Sequence, residues 1–180
     1  MTPDSFERAS EWLQYDRQAL ADGQLWRLVT GHLVHFGFEH LVWDAAVFAL
    51  LAVLCWRLGR SRCLVSLAAA TLAIPAVLFV LQPGLPTYRG LSGLDSALYV
   101  TAAVTLGQRL WRNGQRTWGA VAFASVAALG AKVAYELATG QALFVDAAAL
   151  GFVPVPLAHA AGGLAGMLAA LPRAAVASPV

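Results

Sequence analysis

Residues 88–110 read YRGLSGLDSALYVTAAVTLGQRL, an apolar segment that begins at a serine flanked by glycines. A helix that crosses the hydrocarbon core of a bilayer needs about 20 mainly apolar residues, and residues 91–110 supply that length. Four other apolar stretches lie on either side of this one, at 41–56, 63–82, 118–137 and 155–171. The sequence therefore predicts an all-α polytopic membrane protein with five transmembrane helices.

The composition of the whole chain supports this class. Hydrophobic residues make up 59% of the 180 residues and charged residues only 12%, whereas soluble domains carry about 25% charged residues. The mean hydropathy is +0.64. The bilayer is thus the expected environment of the protein.

The first 25 residues differ from the rest because acidic and basic side chains alternate there and no apolar run is long enough for a signal peptide. We predict that residues 1–25 form a polar segment of short helix and loop. Residues 26–173 are predicted to form a single membrane domain, followed by a short tail at 174–180.

The positions of the arginines predict the orientation in the membrane, because cytoplasmic loops collect positive charge. Three segments carry most of it: Arg57, Arg60 and Arg62, then Arg109, Arg112 and Arg116, and finally Arg173. These segments are predicted to be cytoplasmic.

Arginine outnumbers lysine 11 to 1, which is typical of a GC-rich bacterial genome, so we predict a bacterial inner-membrane protein.

Two residues are candidates for nucleophilic chemistry. Ser92 lies in Gly90-Leu91-Ser92-Gly93 at the start of one predicted helix, and His159 lies near the start of the last. The glycines could simply form a small-residue packing face, and the histidine could be a hydrogen-bonded core residue. The combination of serine, histidine and close-packing glycines at one membrane face favours a serine nucleophile with a histidine base.

Three more histidines precede or begin the first predicted span, and of these His40 shares a helix face with Asp44, four residues on. Ionisable side chains at membrane depth are costly and usually line functional cavities, so we predict a functional role for His40. For His32 and His35 we favour an interfacial role in which they tie a loop together, with a functional role as the alternative.

Metal and nucleic-acid sites are not indicated. The chain has two cysteines, no Cys-x-x-Cys pair and no helical His-Glu-x-x-His pattern. Its net charge is +2, without a basic patch that contains interleaved aromatic residues. We predict no metal, no cofactor and no nucleic-acid partner.

The order of these motifs resembles that of the rhomboid intramembrane serine proteases. The matching elements are Trp-Arg at 26–27, His-x-x-x-x-His at 35–40, Gly-x-Ser-Gly at 90–93 and Ala-His-x-x-Gly at 158–162. The resemblance covers about residues 12–171. The stretches at 14–17, 23–32 and 88–93 are most similar to the rhombosortase branch.

The resemblance implies a helical bundle in which Ser92 is the nucleophile and His159 its general base, without a carboxylate as third member. It also implies that the backbone N–H of Ser92 and the side chain of His40 bind the oxyanion, beside Gly90 and Gly93. In this family the serine helix begins in a water-filled cavity that opens to the non-cytoplasmic side.

Two features depart from the family. Asp44 stands where the family usually has an asparagine that donates to the oxyanion, and an ionised aspartate cannot donate. Our hypothesis is that Asp44 is a neutral donor, and the competing possibility is a carboxylate paired with His40.

The family also has a membrane helix ahead of the Trp-Arg loop that is not found here, so either the true chain begins upstream or five spans form a natural core.

The resemblance further implies the substrates: single-span or C-terminally anchored membrane proteins, and for rhombosortases a C-terminal sorting tail made of a Gly-Gly motif, an apolar helix and basic residues. The loop at 139–155 would act as a cap over the site, or it could be an ordinary connector. The alternative function is that of a non-catalytic rhomboid-like protein that binds membrane clients.

Overall fold

The structure, a computed structural model, describes residues 3–143 and 155–171. The helices in this part of the chain are α1 (Pro3–Leu13), α2 (Arg17–Ala21), α3 (Arg27–Thr30), α4 (Phe38–Leu58), α5 (Arg60–Leu81), α6 (Ser92–Arg112), α7 (Arg116–Thr139) and α8 (Pro156–Ala170). Two short strands, β1 (Tyr15–Asp16) and β2 (Thr87–Tyr88), pair antiparallel. The predicted all-helical membrane architecture is confirmed.

The five apolar segments correspond to α4, α5, α6, α7 and α8. Three of them, α4, α5 and α7, are long and apolar enough to cross a membrane. The apolar helix α8 is shorter, at 15 residues, and α6 has 21 residues but contains polar side chains along its length. The number of five spans therefore stays a prediction.

Helix α6 lies at the centre of the bundle, where it packs against α4, α5, α7 and α8. One of its buried polar side chains, Thr101, is hydrogen-bonded within the protein: its hydroxyl lies 2.8 Å from Ser66 Oγ on α5 and 3.1 Å from the carbonyl oxygen of Gly166 on α8. Because lipid offers no hydrogen bonds, such a helix is best placed inside the bundle.

The arginine-rich ends of α4 and α6 lie at the same end of the bundle. The Arg109 guanidinium hydrogen-bonds to the carbonyl of Leu58 at the end of α4. The Arg62 guanidinium lies 3.5 Å from the hydroxyl of Thr105, in the last two turns of α6. At about 1.5 Å per residue, the other end of α6, where Ser92 lies, is about 30 Å away. This arrangement is consistent with the predicted orientation.

The N-terminal segment is tied to the loop that leads into α6. Tyr15 in β1 pairs with Tyr88 in β2. The buried Arg89 donates through Nε to Gln14 Oε1 and through Nη2 to Glu7 Oε1, each at 2.8 Å. These bonds fix the backbone directly before Ser92. The predicted domain boundaries after 25 and 173 stay predictions, and the tail at 174–180 lies outside the described residues.

Small residues allow α8 to approach α6 closely. A Cβ atom at Gly162 would overlap the backbone carbonyl of Gly93, and one at Gly166 would overlap that of Ala97. Close backbone approach at glycine is a common way to pack membrane helices. The Gly-x-x-x-Gly step of α8 therefore sets the distance between the two helices.

Replacing Gly162 with Ala is expected to destabilise the bundle, because the methyl group would push α8 away from α6. Overpacking a core costs about 1–3 kcal/mol and occasionally more, which exceeds the gain of about 1 kcal/mol from the better helix propensity of alanine. Thermal unfolding of the purified protein in detergent should show a lower Tm.

Gly163→Ala is the matched control for this change. Its Cβ would lie 3.7 Å from Val100 Cγ2, an ordinary van der Waals contact, so the Tm should be unchanged or slightly higher. If Gly162→Ala melts at the wild-type temperature, close packing at this position does not hold the two helices together.

Candidate active site

Ser92 and His159 are brought together by the packing of α6 against α8. Ser92 is the first residue of α6 and His159 the fourth of α8. His159 Nε2 lies 3.2 Å from Ser92 Oγ, within hydrogen-bond reach, although the residues are 67 positions apart in the chain. A histidine at this distance can accept the serine proton.

Gly93 allows this approach beside the pair. A Cβ atom at this position would lie 2.8 Å from Ile74 Cδ1 and 3.1 Å from the carbonyl oxygen of Ala158, the residue before His159. A side chain at residue 93 would therefore force the Ile74 side chain to move and would crowd the backbone of α8 next to the histidine.

The backbone conformation at residue 90 favours glycine. Its φ of 120° lies in a region that side chains rarely adopt, and its N–H donates to the carbonyl of Gly31 at 3.2 Å. A Cβ here would meet Asp44 Oδ2 at 3.3 Å and His40 Cε1 at 3.6 Å. Gly90 thus turns the chain into α6 and leaves room for the two side chains from α4.

Three nitrogen atoms lie close to one carboxyl oxygen of Asp44. Its Oδ2 atom accepts from the backbone N–H of Leu91 at 3.2 Å and lies 3.2 Å from His40 Nε2 and 3.3 Å from His35 Nε2. Three nitrogens that converge on one oxygen favour the carboxylate over the neutral donor. The resemblance implies that the His40 side chain binds the oxyanion, but in this structure the Nε2 atom of His40 faces Asp44.

The other two histidines of this region are buried and have different neighbours. His32 Nε2 lies 3.2 Å from the carbonyl oxygen of Thr71 on α5, which fits the interpretation that it ties the loop to the bundle. Burial lowers the pKa of His32, so its imidazole is neutral at pH 7. His35 instead contacts Asp44 and stacks edge-on against His40, with ring centroids 5.1 Å apart. It therefore belongs to the Asp44 cluster.

Tyr88 supports the turn before Ser92. Its buried hydroxyl donates to the carbonyl of Gly90 at 3.2 Å, and its oxygen would lie 3.3 Å from a Cβ placed on Gly93. Burial raises the pKa of the phenol well above its ordinary value, so Tyr88 stays protonated and can keep donating this bond.

Glu136 and Lys132 of α7 also face the site, and the sequence reasoning did not single them out. Glu136 is buried, and its Oε2 lies 3.9 Å from His159 Nδ1. Lys132 Nζ lies 2.8 Å from the Glu136 carboxylate. The sequence contains a pattern that points to them: Lys132 is the only lysine in the chain, and it stands four residues before a glutamate in an apolar segment.

A cavity of about 650 Å³ opens between α4, α6 and α7. Its walls are mainly apolar, with a few polar side chains, among them Asp95 and Ser96 on α6 and Lys132 on α7. Ser96 Oγ donates to the carbonyl of Ser92 at 3.0 Å, so the cavity reaches the first turn of the serine helix. The predicted cap loop at 139–155 lies mostly outside the described residues.

Comparison with protein families shows that residues 22–175 match the Rhomboid domain. No curated protein and no solved structure shows significant similarity to the chain. The matched range contains α3 to α8 and therefore every helix that lines the candidate site. The chain is thus an integral membrane protein that belongs to the rhomboid family, a family of intramembrane serine proteases.

Proposed function

We propose that this protein is an intramembrane serine endopeptidase in which Ser92 attacks the substrate carbonyl and His159 acts as general base. The observation that carries the proposal is the 3.2 Å distance between Ser92 Oγ and His159 Nε2, at the start of a central helix in a chain of the rhomboid family. Serine is a weak nucleophile on its own and needs such a base.

The reaction follows from this geometry. As Ser92 Oγ bonds to the carbonyl carbon, its proton passes to His159 Nε2, and the imidazolium then protonates the leaving amine. His159 then takes a proton from a water molecule as that water attacks the acyl carbon, and it returns the proton to Ser92 Oγ when the carboxylic acid product leaves. The oxyanion would be bound by the backbone N–H of Ser92 and by His40, once the Nε2 atom of His40 turns from Asp44 to the substrate.

The proposed substrates are membrane proteins with a C-terminal anchor, in particular exported proteins with a tail of Gly-Gly, apolar helix and basic residues. The similarity of residues 14–17, 23–32 and 88–93 to rhombosortases supports this class. The mainly apolar cavity beside Ser96 suits an apolar helix, and a Gly-Gly segment resists helix formation, which would let its carbonyl reach Ser92.

We place the protein in a bacterial inner membrane with the site open to the non-cytoplasmic side. The arginines at the ends of α4 and α6 support this orientation, because positive charge stays in the cytoplasm. The site would then face substrates after their export, when a C-terminal tail still anchors them in the bilayer.

A second function, client binding without catalysis, is favoured by one observation. Asp44 presents a carboxylate oxygen to His40 Nε2 and Leu91 N, and an ionised aspartate beside the serine would repel a developing oxyanion. Loss of the oxyanion donors would leave a rhomboid fold that binds membrane segments and does not cut them.

Cleavage of a tailed reporter tests the proposed function. A soluble domain fused to a Gly-Gly motif, an apolar helix and a basic end should be released in membranes that contain the wild-type protein. Ser92→Ala should release none, and a reporter with Ala-Ala in place of Gly-Gly should be cut about tenfold more slowly, because each alanine favours the helix by about 0.8–1 kcal/mol over glycine and the helix must unwind before attack.

The two functions give different results in this assay. Binding of the intact reporter to the wild-type protein, with no release at any time, would favour the client-binding role. Release that persists with Ser92→Ala would show that another nucleophile or another protease is responsible.

A further inference from the structure

His159 carries a buried ring nitrogen without a hydrogen bond. Its Nε2 faces Ser92, whereas its Nδ1 is shielded from solvent and has no hydrogen-bond partner among the described residues. Accepting a proton from Ser92 requires a bare Nε2, which places the ring proton of the neutral imidazole on Nδ1. An acceptor close to Nδ1 would therefore favour the tautomer in which Nε2 can take the serine proton.

Among the residues that the structure describes, the carboxylate closest to this nitrogen is that of Glu136 on α7, with Oε2 at 3.9 Å from Nδ1. Glu136 is held from two other sides: Lys132 Nζ lies 2.8 Å from the carboxylate, and the backbone N–H of Leu143 donates to Oε1 at 3.1 Å. These contacts stabilise the ionised form and fix its position beside the histidine.

We propose that Glu136 is a positioning residue that orients His159 through Nδ1 and stabilises the imidazolium formed during the reaction. The inference rests on the proposed function, because it concerns the same base. The 3.9 Å separation closes with a shift of about 1 Å or is bridged by a water molecule, as polar contacts in substrate-free sites often are. The carboxylate remains ionised throughout and takes no proton.

A purely structural role would explain less of what is observed. Lys132 and Glu136 are four residues apart on one helix, and such pairs form on any helix surface. This pair is instead turned into the protein, with Glu136 almost fully buried. Burying a charged pair in a membrane costs free energy. A role for the carboxylate beside His159 explains why the pair is buried despite this cost.

The tautomer of His159 is the most direct test, since it does not depend on catalysis. In the Ser92→Ala background, ¹⁵N-histidine NMR in detergent should show His159 protonated on Nδ1, with its signals identified by their absence from His159→Asn. Adding Glu136→Leu together with Lys132→Met removes the acceptor without leaving the lysine unpaired, and should shift the population towards Nε2–H, the form that free imidazole side chains prefer. A signal that this double change leaves unchanged would overturn the proposal.

The rate of serine labelling by a fluorophosphonate gives the second readout. Glu136→Gln should lower the rate about 10- to 100-fold, less than the roughly 10⁴-fold loss known for a directly hydrogen-bonded carboxylate. Lys132→Met with Glu136→Gln removes both charges together and should remain as slow as Glu136→Gln at a wild-type Tm. Glu136→Asp, which keeps the charge, should recover part of the rate.

The outcomes separate the two proposals. Wild-type labelling on Ser92 with an undiminished rate in Glu136→Gln would overturn the role of Glu136 and leave the protease assignment intact. A wild-type protein that is not labelled would count against the protease assignment, and the tautomer measurement would still decide whether Glu136 orients His159.

Discussion

Ser92→Ala and His159→Ala are each expected to abolish covalent labelling of the purified protein by a fluorescent fluorophosphonate. The probe reacts only with an activated serine, and His159 Nε2 lies 3.2 Å from Ser92 Oγ, close enough to activate it. Removing a nucleophile or its base typically costs about 10³-fold or more in rate. Gel fluorescence of the wild-type protein and both variants, normalised to folded protein, measures the effect.

Ser61→Ala is the matched control, because Ser61 is an exposed serine at the start of α5. It should be labelled as strongly as the wild type. Labelling that survives in Ser92→Ala would place the reactive nucleophile elsewhere. Labelling that survives in His159→Ala alone would show that Ser92 is activated by another group.

The helices themselves are largely predictable from the sequence, because a membrane helix must be apolar over a fixed length. The predicted span at 41–56 lies inside α4, and the one at 118–137 lies inside α7. The central position of α6 is less evident, since its hydropathy alone would make it the weakest candidate. The burial of Asp95 and Thr101 among neighbouring helices explains why so polar a segment can lie there.

Short motifs suggest that Ser92 and His159 act together, whereas the contacts that Asp44 and Glu136 make with other segments of the chain cannot be predicted from local patterns. Spacing along one helix predicts the contact between His40 and Asp44, because both lie on α4. It cannot predict that Leu91 N also reaches Asp44, 47 positions away. The contact between Glu136 and His159 likewise depends on how α7 packs beside α8, which no local pattern specifies.

Asp44→Asn is expected to raise the rate of serine labelling. The amide oxygen can still accept from the backbone N–H of Leu91, which now donates to Asp44 Oδ2 at 3.2 Å. The amide nitrogen would add a donor for the oxyanion, and the negative charge that opposes it would be gone. One oxyanion donor is worth about 10²–10³-fold in rate. We therefore expect the rate of serine labelling to rise by a factor of this order.

Glu39→Gln is the matched control for the lost charge. Glu39 is an exposed acid in the first turn of the same helix, so its neutralisation changes the charge near the site without changing the contacts of Asp44. Its labelling rate should equal that of the wild type. A slower Asp44→Asn protein would contradict this prediction. It would mean that the carboxylate is needed to hold His35 and His40 in position, and that this contribution to oxyanion binding is larger than that of the missing donor.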